Sequence, residues 1–186
     1  SDWTVAVIDD LSNGTRDVVP AGVPFFEGSI ADRALVDRVL AEQQIGAIMH
    51  FAGSIVVPES VDKPLDYYRN NTVATLELIS AAVAAQVKHI LFSSTAAVYG
   101  SPERVPVSED DPTHPINPYG SSKLMTEWML ADSSAAYGFN YGALRYFNVA
   151  GADPVGRSGQ AGPGSTHLIK VAVVAAVAPG GRAAIK

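Results

Sequence analysis

Short apolar runs alternate along the chain with longer segments in which apolar residues recur every three or four positions. The runs lie at residues 5–8, 24–28, 47–51, 89–93 and 140–147. Most are rich in Val, Ile or Phe and end at Gly, Asp or Ser, which is typical of buried β-strands. The pattern therefore predicts five strands.

The segments between these runs predict helices. Residues 32–43 place Leu35, Val36, Val39 and Leu40 on one face, at helical spacing. Further helices are predicted at 65–85, with Pro64 in the first turn, at 119–136, and from about Thr166. Residues 99–118 hold five prolines, and residues 151–164 are rich in Gly and Pro, so both segments are predicted loops.

This alternation of strand and helix decides the expected fold class. Near-continuous apolar strands must be covered on both faces, which is the situation of a parallel sheet flanked by helices. Right-handed crossovers then produce a doubly wound α/β fold, in which ligands bind at the carboxyl ends of the strands. Polar or small residues follow the predicted strands at 9–10, 52–53, 93–95 and 148. These positions are the candidate functional site.

Composition excludes several classes of protein. The 186 residues include 13 Lys and Arg against 19 Asp and Glu, a net charge of −6, and no cysteine. Without cysteine there is no disulfide, thiolate metal site or cysteine nucleophile, and we expect no metal centre. The acidic balance disfavours nucleic-acid and basic membrane-surface binding, and no apolar run is long enough to span a bilayer. Residues 1–3 do not resemble a signal peptide, so we expect a cytoplasmic globular protein without nucleic-acid or membrane partners.

Three groups of side chains have the types required for redox chemistry on a hydroxyl. Asp9, after the first strand, suits both hydroxyls of an adenosine ribose, but it equally suits the cap of the turn at 12–14. Tyr119 and Lys123 are four residues apart and share a helix face, where the Lys charge is expected to lower the pKa of a general-base Tyr. The alternative is that Tyr119 and Lys123 are an ordinary exposed pair, which would have the same spacing. The hydroxyls of residues 93–95 suit a hydrogen bond to the reacting group, or simply a helix cap.

Taken together, the motifs resemble the extended short-chain dehydrogenase/reductase family and, within it, the UDP-hexose 4-epimerases. The matching segments are Ser93-Ser94-Thr95, Val98-Tyr99-Gly100, Pro118-Tyr119-Gly120-Ser121-Ser122-Lys123-Leu124, Leu144-Arg145-Tyr146-Phe147-Asn148, Asp9-Asp10-Leu11-Ser12-Asn13, His50-Phe51-Ala52-Gly53, Asn70-Asn71 and Gly151-Ala152-Asp153-Pro154. They extend over essentially the whole chain. The resemblance implies a Rossmann-like doubly wound parallel sheet that binds NAD and a UDP-sugar.

The resemblance also implies roles for individual residues. Tyr119, Lys123 and Thr95 are expected to be catalytic: Tyr119 as the base on the sugar 4-hydroxyl, Lys123 as its pKa-lowering partner and a nicotinamide-ribose ligand, and Thr95 as a partner of the same hydroxyl. The expected cofactor ligands are Asp9, Asn13, Ser29, Ile30, Phe51, Ala52, Gly53, Asn70, Ser93, Tyr119, Lys123 and Tyr146. The expected substrate ligands are Ser94, Thr95, Tyr119, Asn148 and His167.

The implied reaction inverts C4 of UDP-galactose or UDP-glucose through a 4-keto intermediate. Thr95 is followed by Ala96 and Ala97, where related dehydratases carry an acid, so the resemblance favours epimerisation over dehydration. An N-acetylhexosamine or pentose 4-epimerase, or another enzyme of the family, is the alternative. The family's dimers imply a homodimer through the helices beginning near Leu65 and Tyr119.

The chain also departs from the family pattern. No glycine-rich G-x-x-G-x-x-G turn of the kind that binds the NAD pyrophosphate follows the first predicted strand. That spacing occurs at Gly156, Gly159 and Gly162, but these glycines follow the last predicted strand and resemble the family's substrate loop. We therefore expect an internal piece of a longer protein: an NAD-binding region at 1–150, lacking its first βα unit, and the start of a small substrate-binding region at 151–186. The alternative to an enzyme is that this chain is a non-catalytic fragment or a binding and dimerisation module. Ile55 and Ser29 replace a Lys and an Asp that are common in these epimerases.

Overall fold

The strands and helices were determined from a computed structural model that describes residues 3–156 and 168–177. The strands are β1 (Val7–Asp9), β2 (Phe25–Glu27), β3 (Ala47–His50), β4 (His89–Ser93) and β5 (Asn140–Leu144). The helices are α1 (Arg33–Glu42), α2 (Val57–Asp62), α3 (Pro64–Tyr67), α4 (Ala74–Ala84), α5 (Pro118–Tyr137) and α6 (Leu168–Val177). Short 3-10 helices lie at Arg16–Val18 and Ala96–Tyr99, and a π-helical turn at Tyr68–Val73.

All five predicted strands are present, and every pairing among them is parallel. Strand β1 pairs with β2, with Val7 opposite Phe25. Strand β4 lies between β3 and β5, with Ile90 opposite both Ile48 and Tyr141. Within the described residues the strands form two sheets rather than one continuous sheet, because β1 and β3 are not hydrogen-bonded to each other. The α/β class with parallel strands is as predicted.

One apolar core joins the three-stranded sheet to the helices that follow and precede its strands. Its buried residues are Val36, Leu40, Leu78, Ile79, Ala81, Ala82, Val87, Ile90, Phe92, Leu130 and Phe139. They come from α1, α4, β4 and α5 and from the short segments just before β4 and β5, so the helical spacing read from the sequence does select the buried helix faces. Burial of this kind stabilises by about 25 cal/mol per Å² of apolar surface. The core thereby holds the carboxyl end of β4 in a fixed place against α5.

The predicted helix at 65–85 is interrupted in the structure. Helix α3 passes into the π-helical turn Tyr68–Val73 before α4 begins at Ala74, and helix α2 precedes it. Apolar spacing does not reveal such a turn, because a π-helical turn adds one residue without changing the composition. The predicted strand at 140–147 is also shorter and ends at Leu144. The predicted start of the last helix at Thr166 lies outside the described residues.

Helix α5 carries the strongest end signals in the chain. The Asn117 side chain accepts a hydrogen bond from the Gly120 N–H at 2.8 Å, and Pro118 occupies the first helical position. Gly138 ends the helix in the left-handed conformation, with φ 72°. These signals place the first turn of α5, and Tyr119 within it, at a defined point beside the end of β4. Among the described residues no helix is both long enough and apolar enough to cross a bilayer.

Candidate active site

A cleft lies at the carboxyl ends of β1, β2 and β3. It is lined by Ile8, Asp9, Asp10, Ser12, Asn13, Gly14, Gly28, Ser29, Ile30, Phe51, Ala52, Gly53 and Asn70. Eight of the predicted cofactor ligands, from four separate segments of the chain, therefore line one cleft. They are Asp9, Asn13, Ser29, Ile30, Phe51, Ala52, Gly53 and Asn70. Parallel strands place these segments side by side because their carboxyl ends meet at one edge.

Asp9 is the carboxylate at one end of this cleft. One of its oxygens accepts a hydrogen bond from the Leu11 N–H at 2.7 Å. A Cβ at position 14 would lie 3.2 Å from both carboxylate oxygens, so Gly14 lets the chain pass close to Asp9. The neighbouring Asp10 is different, because its carboxylate accepts the Ser12 hydroxyl at 2.6 Å and the Ser12 N–H at 2.9 Å. Those two bonds lower the pKa of Asp10.

Gly53 connects the cleft to the second group of candidate residues. Its φ is 147°, and a Cβ there would lie 3.0 Å from the Asn71 side-chain oxygen and 3.5 Å from the Lys123 ammonium. Only glycine suits this conformation and this close approach. The end of β3 thus lies directly beside the Lys123 side chain of α5, and the cofactor cleft and the Tyr–Lys pair are adjacent.

Tyr119 lies in the first turn of α5, opposite Thr95 at the end of β4. Burial raises the pKa of Tyr119, while a hydrogen bond with the Thr95 side chain acts in the opposite direction. Thr95 also caps the 3-10 helix Ala96–Tyr99 by accepting the Ala97 N–H at 3.1 Å. Gly120 permits the close packing of the two segments, because a Cβ there would lie only 2.8 Å from the Ala97 carbonyl oxygen. The fold therefore brings Tyr119 and Thr95 close together from two different elements.

Lys123 is one turn further along α5 and is 2% exposed. Its Nζ donates to the Ser93 carbonyl at 3.0 Å, lies 4.9 Å above the centre of the Phe92 ring, and is 6.0 Å from the centre of the Tyr119 ring. Burial lowers the pKa of Lys123 to about 8. Burial dominates at Tyr119 and the Lys123 ammonium donates to the strand, so the role of Lys123 in lowering the pKa of Tyr119 stays a prediction.

Ser94 corrects one of the expectations from the sequence. It was expected to contact the substrate, but it is 2% exposed and its hydroxyl donates to the Glu127 carboxylate. A side chain buried and bonded in this way is not available to a ligand in the cleft. The preceding residue, Ser93, shares a hydrogen bond between its hydroxyl and that of Tyr146, and both stay predicted cofactor ligands.

Of the two remaining predicted substrate ligands, the structure describes Asn148 alone. Asn148 is exposed, beyond the end of β5. His167 lies outside the described residues. The structure thus assembles the expected cofactor and catalytic residues more fully than the expected substrate residues.

Two buried polar residues beside the site were missed from the sequence. Asn71 accepts the Ser54 N–H at 2.8 Å and donates to the Ser54 carbonyl at 3.0 Å and the Ser122 hydroxyl at 3.1 Å. It therefore ties the segment after β3 to α5. His50 hydrogen-bonds Thr75 at 2.8 Å, and burial lowers its pKa to about 3. His50 could have been found from the sequence because it lies at the end of an apolar strand. Asn71 could have been found because it directly follows Asn70, a predicted cofactor ligand.

The family follows from comparison with known proteins. A sequence model of the NAD dependent epimerase/dehydratase family matches residues 1–178. The chain belongs to this family. It is 64% identical over 165 residues to a UDP-glucose 4-epimerase of Azospirillum brasilense, a match covering 89% of this chain and 47% of the relative. It is 45% identical over 178 residues to that of Lactobacillus helveticus, with 96% and 54% covered.

Solved structures of the family agree on the fold. The Brucella ovis UDP-glucose 4-epimerase in complex with NAD superposes with a TM-score of 0.90 at 43% identity, covering 94% of this chain and 54% of that one. The UDP-Glc/GlcNAc 4-epimerase of Campylobacter jejuni superposes with a TM-score of 0.80 at 44% identity, covering 95% and 55%. The fold is therefore Rossmann-like. The chain spans about half the length of these relatives.

Proposed function

We propose that the protein is an NAD-dependent epimerase that inverts C4 of a UDP-hexose, UDP-galactose or UDP-glucose. The observation that carries the proposal is the placement of Tyr119, in the first turn of α5, beside Thr95 and Lys123 at the edge of the cleft in a chain of this family. The chain spans about half the length of each relative, so the activity is proposed for the whole protein.

The cleft fits NAD in two respects. Asp9 offers a carboxylate where the ribose hydroxyls of the adenosine would donate, and its charge would repel a 2′-phosphate, which favours NAD over NADP. At the other end, Gly53 leaves open the space beside the Lys123 ammonium that a side chain would fill. When bound, NAD supplies the hydride acceptor and donor for C4.

The chemical task of the protein is proton transfer at the sugar 4-hydroxyl. Thr95 orients that hydroxyl, and Tyr119 takes its proton and later returns it. Burial alone holds the pKa of Tyr119 high, so the phenolate needs a neighbouring positive charge. Lys123 lies one turn away on the same helix and, with a pKa of about 8, is mostly charged at neutral pH. The burial of Lys123 near Tyr119 supports this role.

The residue after Thr95 favours epimerisation over dehydration. Ala96 and Ala97 begin the 3-10 helix and offer no second acid for elimination of water. The identity of the sugar is open to direct measurement. The sugar preference can be ranked by measuring kcat/KM for three substrates: UDP-galactose, UDP-N-acetylgalactosamine and a UDP-pentose.

The test is the interconversion of UDP-galactose and UDP-glucose by the NAD-loaded protein. Tyr119→Phe should lower kcat by about 100- to 10,000-fold, the usual contribution of a general base. Tyr137→Phe, at the exposed far end of the same helix, should match the parent. Absence of interconversion by the parent, or a fully active Tyr119→Phe variant, contradicts the proposal.

We also propose that two copies pair through the helices that begin near Leu65 and Tyr119, and that the protein is cytoplasmic. Apolar side chains exposed on α3, the π-helical turn, α4 and α5 support the pairing: Leu65, Val73, Leu76 and Trp128. Such a patch on a helical face is typical of an interface. Trp128→Glu should shift the protein from dimer to monomer in sedimentation. An unchanged sedimentation coefficient would argue against this interface.

A further inference from the structure

A buried ion pair lies behind the candidate active site. Arg145, just past β5, donates through Nη2 to the Glu127 Oε2 at 2.6 Å and through Nε to the two carboxylate oxygens at 3.0 and 3.1 Å. The Glu127 side chain is 7% exposed and that of Arg145 is 23% exposed. Withdrawal of two charges from water costs free energy that their attraction often only offsets, so stability alone is a weak explanation for such a pair.

Both neighbours of Thr95 are bonded to the pair or next to it. On one side, Ser94 donates its hydroxyl to Glu127. On the other side, the Ala96 N–H donates to the Tyr146 carbonyl at 3.0 Å, and Tyr146 directly follows Arg145 in the chain. The backbone around Thr95 is therefore held by Glu127 on one flank and by the residue after Arg145 on the other.

Arg145 also fixes the segment that follows Thr95. Its Nη1 donates to the Tyr99 hydroxyl at 3.0 Å and to the Glu109 carbonyl at 3.2 Å. The guanidinium carbon lies 5.1 Å above the centre of the Tyr99 ring. A planar group with five donors can make these contacts together, which a Lys cannot.

Glu127 joins this arrangement to the base. It lies four residues after Lys123 and eight after Tyr119, so all three side chains share one face of α5. We propose that Glu127 and Arg145 are positioning residues that hold Thr95 in place beside the first turn of α5, where its hydroxyl can hydrogen-bond that of Tyr119. This inference deepens the proposed epimerase function and rests on it for its kinetic consequences.

The experiment has one readout that is independent of turnover. Tyrosines labelled with ¹³C at Cζ are titrated by NMR, and the Tyr119 signal is assigned by its loss in Tyr119→Phe. Glu127→Gln, Arg145→Lys and Ser94→Ala should each raise the pKa of Tyr119, because a displaced Thr95 no longer hydrogen-bonds it. In turnover they should lower kcat about 10-fold or more while KM for the nucleotide sugar stays within about 2-fold, since a lost transition-state contact acts on kcat. Arg33→Lys, in the exposed Arg33–Asp37 pair, is the matched control and should change neither.

The outcomes separate the two proposals. A Tyr119 titration and a kcat that match the parent in folded Glu127→Gln and Arg145→Lys would overturn the positioning role and leave a structural ion pair. If those two variants do not fold, Ser94→Ala removes only one neutral hydroxyl, and its unchanged Tyr119 pKa would overturn the role equally. If the parent shows a Tyr119 titration but does not epimerise UDP-galactose, the proposed function is refuted. The Tyr119 pKa in the variants then still tests whether Glu127 and Arg145 position Thr95.

Discussion

The Lys123 ammonium lies 6.0 Å from the centre of the Tyr119 ring and donates instead to the Ser93 carbonyl at 3.0 Å. The two residues are one helical turn apart, yet burial dominates both: it raises the pKa of Tyr119 and lowers that of Lys123 to about 8. The two shifts disfavour the charged forms of both groups. A buried cation in this position therefore costs stability.

Lys123→Met should make the protein more stable at pH 7 and inactive. The pKa of Lys123 is about 8 when folded and 10.5 when exposed, so the unfolded chain binds more protons between these values. The parent therefore gains stability as pH rises through this window, and below it carries a penalty of up to about 3 kcal/mol. Urea unfolding at pH 7 and at pH 10 should show the variant's advantage shrinking with pH. Lys63→Met, in an exposed pair, is the control; equal pH slopes for parent and Lys123→Met would refute the prediction.

Gly120→Ala should impair activity by separating α5 from the 3-10 helix that Thr95 caps. The new Cβ would lie 2.8 Å from the Ala97 carbonyl oxygen and 3.0 Å from the Pro115 Cβ, so the backbone must shift. Overpacking of this kind costs about 1–3 kcal/mol, and the shift moves Tyr119 relative to Thr95. Thermal unfolding and kcat measure the two effects. Gly46→Ala meets nothing within 4 Å and should leave both near the parent values.

His50→Gln should reduce the loss of stability in acid. The pKa of His50 is about 3 when folded, against 6.5 when exposed, so the unfolded chain binds more protons between these values. The parent therefore loses stability as pH falls from 6.5 towards 3, by up to about 5 kcal/mol. Denaturant unfolding across this range should give the variant a shallower slope. His89→Gln, at an exposed position, should keep the slope of the parent.

Asp9→Asn should weaken NAD binding. A hydrogen bond to a charged group contributes about 1.5–3 kcal/mol, which corresponds to roughly 10- to 150-fold in Kd. Asp10→Asn is the matched control, because that carboxylate is already bonded to Ser12. Calorimetric titration of both variants with NAD distinguishes them. An Asp9→Asn variant that binds NAD as tightly as the parent would remove Asp9 from the cofactor site.

Local pattern was sufficient for a large part of this protein. The strand at 89–93 and the capped helix that begins at Pro118 follow from apolar runs, end signals and helical spacing, all of which act over a few residues. The clustering of Asp9, Asn13 and Gly53 in one cleft follows from topology, since parallel strands end at one edge. Helical spacing also places Tyr119 and Lys123 one turn apart on α5.

Contacts between distant parts of the chain decided the rest. Ser94 was expected at the substrate, but Glu127, 33 residues away, binds its hydroxyl, and only folding brings the two together. The direction of the Tyr119 pKa likewise depended on burial by neighbouring elements rather than on its spacing from Lys123. The π-helical turn that presents Asn71 to Ser54 and Ser122 has no counterpart in the apolar pattern. Sequence therefore determined which chemical groups are present and on which elements they lie. Tertiary packing determined their partners and protonation, because desolvation and long-range hydrogen bonds arise only when those elements are assembled.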